Sequence, residues 1–164
     1  SMKGKKIEAC KKAGIALAYK AINNKDKVGL IVFGSEIKEI IEPTSDFTRL
    51  LKEITKIRAS KETDIVSTFQ KAVELFPSEN ITKHLILITD ALPTKGEEPE
   101  KSTLEEASIA RSKGITISLI GINLDEKGKR LAEKIVELGE GRLYVVRNLE
   151  NVDKIVLEDY YGVG

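Results

Sequence analysis

Lys83-His84-Leu85-Ile86-Leu87-Ile88-Thr89-Asp90, running on into Ala91-Leu92-Pro93-Thr94, is the stretch that decides the fold. The uncharged run from Leu85 to Thr89 reads as a strand covered on both faces, as in a parallel sheet with helices on either side. It stops on an acid, and Pro93 forbids further ladder pairing. Open α/β sheets bind ligands in the crevice at the carboxyl ends of their strands. Asp90 is therefore a candidate site residue, with a turn or a helix cap as the plainer alternative.

Outward from this strand the chain alternates. Upstream, Ile65, Val66, Phe69, Ala72, Val73 and Phe76 recur at helical spacing and stop before Pro77. Downstream, Ser102 and Glu105 form a capping box for a helix that Gly114 ends. Ile115 to Ile122 is a second doubly buried strand. Asp125 opens a helix carrying Leu131, Ala132, Ile135 and Leu138, which stops at Gly139 and Gly141. Leu143 to Val146 is a last strand, and Asn148 caps a terminal helix with Val152, Ile155 and Val156.

The front of the chain is a helix from about Lys5 to Asn23. Its inner face is Ile7, Cys10, Gly14, Leu17, Ala18 and Ala21, widened by Ala13, Ile15 and Ile22. Lys27 to Phe33 and Glu36 to Ile41 then make a hairpin about Gly34-Ser35, closed by Pro43. Asp46 caps a helix with Phe47, Leu50, Leu51, Ile54 and Ile57 inward. Strands alternating with helices predict a three-layer α/β/α sandwich of the Rossmann-like kind. Its sheet is doubly wound and mostly parallel, with one antiparallel edge strand. The 164 residues suit a single domain over 1–164.

Composition narrows the function. A net charge of +1 gives no electrostatic reason to bind nucleic acid or an anionic membrane. The single cysteine rules out an internal disulfide, and the pattern carries no signal peptide or long apolar run, so the expectation is a cytoplasmic protein. One Gln, one Met and one Cys beside abundant Ile, Lys and Glu fit a thermophile. His84, the only histidine, reads as a strand residue with a local hydrogen bond, and Cys10 as core packing. No Gly-x-Gly-x-x-Gly follows a strand and no phosphate loop is present, so an enzyme is not expected.

Three oxygen-bearing residues are left at one end of the predicted sheet: Ser1 before the first helix, Thr63 before another, and Asp90. Two hydroxyls and a carboxylate are hard ligands, which suit Mg²⁺ over Zn²⁺. Ser and Thr in such places also serve as ordinary helix caps.

The chain resembles the von Willebrand factor A domain. The likeness is carried by Ser1-Met2-Lys3-Gly4-Lys5-Lys6-Ile7-Glu8, by Val28-Gly29-Leu30-Ile31-Val32-Phe33, by Thr63-Asp64-Ile65, and by Ile86 to Thr94. The resemblance implies an interaction module whose metal-ion-dependent adhesion site uses an Asp-x-Ser-x-Ser motif, a distant Thr and a distant Asp. An acidic side chain of a partner protein would complete the Mg²⁺ shell. Thr63 matches the Thr, Asp90 the second Asp and Ser1 the last Ser; Ala91 stands where a Gly often follows. The family's first strand, with the Asp and first Ser, would lie before residue 1, so the site is expected to be incomplete here and Mg²⁺ weakly held or absent. The strands at 28–33 and 84–89 are then expected to pair directly, or a second copy to cover their edges as a homodimer. The alternatives are a doubly wound phosphotransfer or hydrolase domain using Asp90, and a metal-free scaffold.

Overall fold

The computed structural model describes residues 2–33, 37–58, 65–89, 92, 98–146 and 151–162. The elements in chain order are α1 (Met2–Asn23), β1 (Val28–Phe33), β2 (Ile37–Thr44), α2 (Phe47–Thr55), α3 (Ile65–Leu75) and β3 (Lys83–Thr89). They continue with α4 (Glu98–Ser112), β4 (Ile115–Ile122), α5 (Glu126–Gly139), β5 (Glu140–Val146) and α6 (Val152–Gly162). This is the expected α/β sandwich in three layers.

β4 is the centre of the sheet β3-β4-β5, parallel to both neighbours. Its side chains alternate between the two faces, as the pleat requires. Ile115, Ile117 and Leu119 join Leu85 and Leu87 of β3 and Leu143 of β5 under α3, α4 and α5. Ile120 and Ile122 turn the other way, with Ile86 and Ile88, beneath Ala9 and Ala13 of α1 and Val152 and Val156 of α6. The small residues on α1 let its backbone lie close over the branched strand residues.

The second half of α1 covers something else. Ala18, Ile15 and Ile22 share a cluster with Ile41 of β2, Val28 and Leu30 of β1, and Leu50 and Ile54 of α2. One helix thus spans both the β1-β2 hairpin and the larger sheet.

Among the described residues the hairpin and the three-stranded sheet are not joined. Among the described residues no ladder connects β1 to β3, so the expected direct pairing of these strands does not form. The cost is visible in β3. β4 is buried at seven of its eight positions, whereas Lys83 to Ile86 and Ile88 stay only half-buried, so β3 is an edge strand where its sequence suggests a central one. An apolar run records what a strand could bury; a neighbour on each side decides what it does bury.

Several boundaries differ from those expected. α4 begins at Glu98, so Ser102 lies inside it and forms no capping box; Pro99 falls in the first turn, where a missing N–H costs nothing. Pro43 does not close the hairpin but sits within β2, beside the irregular register between Val28 and Leu30. α5 ends on Glu140 in the left-handed conformation (φ 53°) and not on a glycine, and Leu138 is 39% exposed while Val136 is buried. The Asp46 and Asp125 caps form as expected, with Arg49 N and Gly128 N donating to them at 3.1 and 2.7 Å. Gly114 closes α4 with φ +83°. Asn148 lies outside the described residues.

Candidate functional site

The three sequence-derived ligands, Ser1, Thr63 and Asp90, all lie outside the described residues; the elements that flank them are described. α1 starts at Met2, α3 at Ile65, and β3 ends at Thr89. α3 runs back to feed β3, so its first residue stands at the end of the sheet where β3 finishes. Packing agrees. Ile65 shares one buried cluster with Leu92, just past β3, and Leu124, just past β4. Leu124 folds back over its own strand, since a β-carbon at Gly121 would meet Leu124 Cγ at 2.7 Å. This carboxyl rim is therefore packed where α3 begins and β3 and β4 end. Among the described residues no group of three or more His, Cys, Asp or Glu side chains could hold a metal ion. Two hydroxyls and a carboxylate fit a hard cation in kind but fall short of six ligands in number.

A second polar cluster lies toward the other end of the sheet. Asp159 of α6 is fully buried, its Oδ2 2.9 Å from His84 Nε2 of β3. No aligned hydrogen bond reaches that oxygen, so the contact is a close polar approach. Tyr144 Oη of β5 donates to Asp159 Oδ1 at 3.3 Å. Ser118 Oγ of β4 lies 3.2 Å from the same His84 nitrogen and accepts from Arg142 N at 3.3 Å. Burial pushes the Asp159 carboxyl up, but the close imidazole of His84, the nearby Ser118 hydroxyl and the charge of Arg142 together hold it below the usual carboxylate range.

Serine, histidine and aspartate meet here without the geometry of a catalytic triad. A triad needs the acid on one ring nitrogen and the hydroxyl on the other. Here both contact Nε2, and both Ser118 and Asp159 are sealed from solvent. The expected local hydrogen bond of His84 is thus replaced by contacts with residues 34 and 75 positions away. Sequence carried a signal for this: Asp159 falls on the apolar stripe Val152, Ile155, Val156, and Ser118 interrupts the apolar run of β4. Cys10 is half-buried against the cluster beneath α1, as its packing role requires.

The arrangement of a hairpin, an interposed helix pair and a parallel sheet under α1 coincides with a known family. The family model described as the von Willebrand factor type A domain matches residues 1–93. The chain belongs to the von Willebrand factor type A family. This vWA domain is 28% identical, over 71% of each chain, to an uncharacterized protein of Methanocaldococcus jannaschii. Among solved structures it is similar in fold to the vWF domain of the type V pili tip protein Mfa5 from Porphyromonas gingivalis. That match has a TM-score of 0.78 and 13% identity, and covers 100% of this chain and 91% of the other. It is similar also to the conserved hypothetical protein BatB from Bacteroides thetaiotaomicron, with a TM-score of 0.76 and 22% identity over 95% and 87%.

Proposed function

We propose that this vWA domain is a non-enzymatic interaction module. It binds another protein at the rim where β3 ends and α1 and α3 begin, an acidic side chain of the partner joining Ser1, Thr63 and Asp90 around Mg²⁺. The observation that carries this reading is the extent of the family match, residues 1–93, which takes in all three candidate ligands. The packed cluster of Ile65, Leu92 and Leu124 at the rim where α3 begins and β3 and β4 end supports it, since a rigid base holds ligands better than a loop does. The similar domain from a pilus tip protein is consistent with a contact role. The sealed, one-nitrogen contacts of His84 argue against hydrolysis at the other polar cluster.

Three oxygens and one formal charge hold Mg²⁺ only weakly, at about millimolar concentration, until a partner carboxylate adds charge and a fourth ligand. A Mg²⁺-dependent pull-down tests the reading. Partner capture should be lost in EDTA and lost on Asp90→Ala or Thr63→Ala. Capture that survives both substitutions would leave a metal-free scaffold. Covalent phosphate on Asp90 after treatment with acetyl phosphate would replace the reading with a phosphotransfer one.

A further inference from the structure

We propose that the groove between α1 and α2 is a second docking surface, which takes an acidic amphipathic helix of a partner protein. The inference goes beyond the metal-assisted contact proposed above and does not depend on it, since none of the candidate metal ligands lines the groove.

The net charge of +1 hides a division along the chain. Residues 1–58 hold 13 Lys and Arg against 7 Asp and Glu, whereas residues 59–164 hold 14 against 19. Folding brings part of that basic surplus together where α1 and α2 meet. The two helices pack through Ile15, Ala18, Leu50 and Ile54, and the β-carbon position of Gly14 lies 3.7 Å from Ile54. They run antiparallel. Tyr19 of α1 meets Phe47 at the start of α2 edge-to-face, while Lys11 Nζ donates to Thr55 O at its end, 3.1 Å away.

Toward that end lies an open groove of about 340 Å³, lined by Glu8, Lys11, Lys12, Ile15 and Thr55. Its charge is lopsided. Lys12 is 69% exposed, and its contact with Asp153 of α6 is a loose 3.8 Å. Lys5 and Lys52 stand three positions before Glu8 and Thr55, the spacing of neighbours on a helix surface, and both are exposed. Glu8, the acid among the lining residues, is 3.6 Å from Lys11 and so already matched. Ile15 and the lysine stems supply apolar surface between the charged heads.

That combination selects the occupant. Carboxylates complement the cations, an apolar side chain fits against Ile15, and a channel between two helices takes a third. From Glu8 to Tyr19 α1 rises about 16 Å, three turns of such a helix. Duplex nucleic acid suits the groove less, because its phosphates would offer nothing to Ile15 and would meet Glu8. The acidic half of a second copy reaches it only head to tail, in a contact that does not close.

Fluorescence anisotropy with a labelled helical peptide of about 12 residues, glutamates flanking a leucine pair, tests this in the full chain. Binding should saturate below about 1 mM, weaken with salt, and persist in EDTA and in Asp90→Ala. Lys12→Glu and Lys52→Glu should each weaken it about fivefold, and Glu8→Gln should strengthen it about twofold. Lys101→Glu on α4 and Glu133→Gln on α5 make the same changes of charge on the opposite face of the sheet and should leave it unaltered. Binding that never saturates, or that falls equally with Lys101→Glu, would overturn the proposal. Loss of binding in EDTA or in Asp90→Ala would overturn it too, by placing the peptide at the metal rim. So would tighter binding of a DNA duplex that Lys12→Glu abolishes, or a dimer that Lys12→Glu dissolves, which would give the groove to nucleic acid or to a second copy.

Discussion

Gly139 faces Ile117 so closely that a β-carbon on the glycine would lie 2.6 Å from that of the isoleucine, and Gly141 abuts the Ile117 carbonyl itself. The end of α5 and the start of β5 are thus pressed onto the central strand with no room for a methyl group. Gly141→Ala must push backbone against backbone. It should cost at least the 1–3 kcal/mol of an overpacked core, lowering the melting temperature by about 4–10 °C in a chain of this size. Gly114→Ala provides the contrast. Nothing lies within 4 Å of its β-carbon position, so only the left-handed backbone is strained and the loss should be about 1 kcal/mol. Thermal unfolding of the two variants side by side checks the difference.

Such contacts show where sequence reading stops. Layer order, the hairpin and the caps at Asp46 and Asp125 were legible because each rests on local spacing or turn chemistry. Glu140 in a left-handed position was not, since the two flanking glycines were needed for close approach to Ile117 and the turn fell to the residue between them. The half-buried state of β3 was equally hidden, because an apolar pattern is the same whether or not a neighbour is present. For the site, topology alone set the expectation that Ser1, Thr63 and Asp90 share one rim, and these residues lie outside the described ones. The meeting of His84 with Asp159 depends on how α6 crosses the sheet, and only the charge on an apolar stripe hinted at it.

Acid should reveal the buried carboxylate. Asp159 is held below its ordinary value of 3.8, so its contribution is present above that value and is lost as pH falls through the lower folded one. Wild-type stability in urea should therefore drop below about pH 4 more steeply than that of Asp159→Asn, which carries no titrating group there. Asp159→Ala should cost about 1–3 kcal/mol, since it leaves the buried polar groups around the carboxylate without a partner. Equal acid slopes in wild type and Asp159→Asn would contradict the assignment.

The outer edges of β1 and β3 predict self-association. Among the described residues each lacks a ladder partner on one side and is flanked by half-buried Leu30, Leu85 and Ile86, the kind of edge that recruits another strand. Sedimentation velocity on this chain should show a concentration-dependent dimer at tens of micromolar, weakened by Ile86→Lys, which sets a charge beside the open edge without removing a fully buried side chain. A compact monomer at all concentrations would mean that α1 and α3 shield both edges without help.

Metal removal should hardly change stability in the absence of a partner. If the proposed site holds Mg²⁺ with a dissociation constant of about 1 mM, 1 mM Mg²⁺ would stabilise the folded chain by about 0.4 kcal/mol, since the gain is RT ln(1 + [L]/Kd). For a domain of this size that is a rise in melting temperature of about 1 °C. Thermal scans in Mg²⁺ and in EDTA should differ by no more than this, and Asp90→Ala should erase the difference. A shift of 5 °C or more would require binding in the micromolar range, and with it charged ligands beyond Asp90. An aspartate-to-alanine scan read by isothermal titration would then find them.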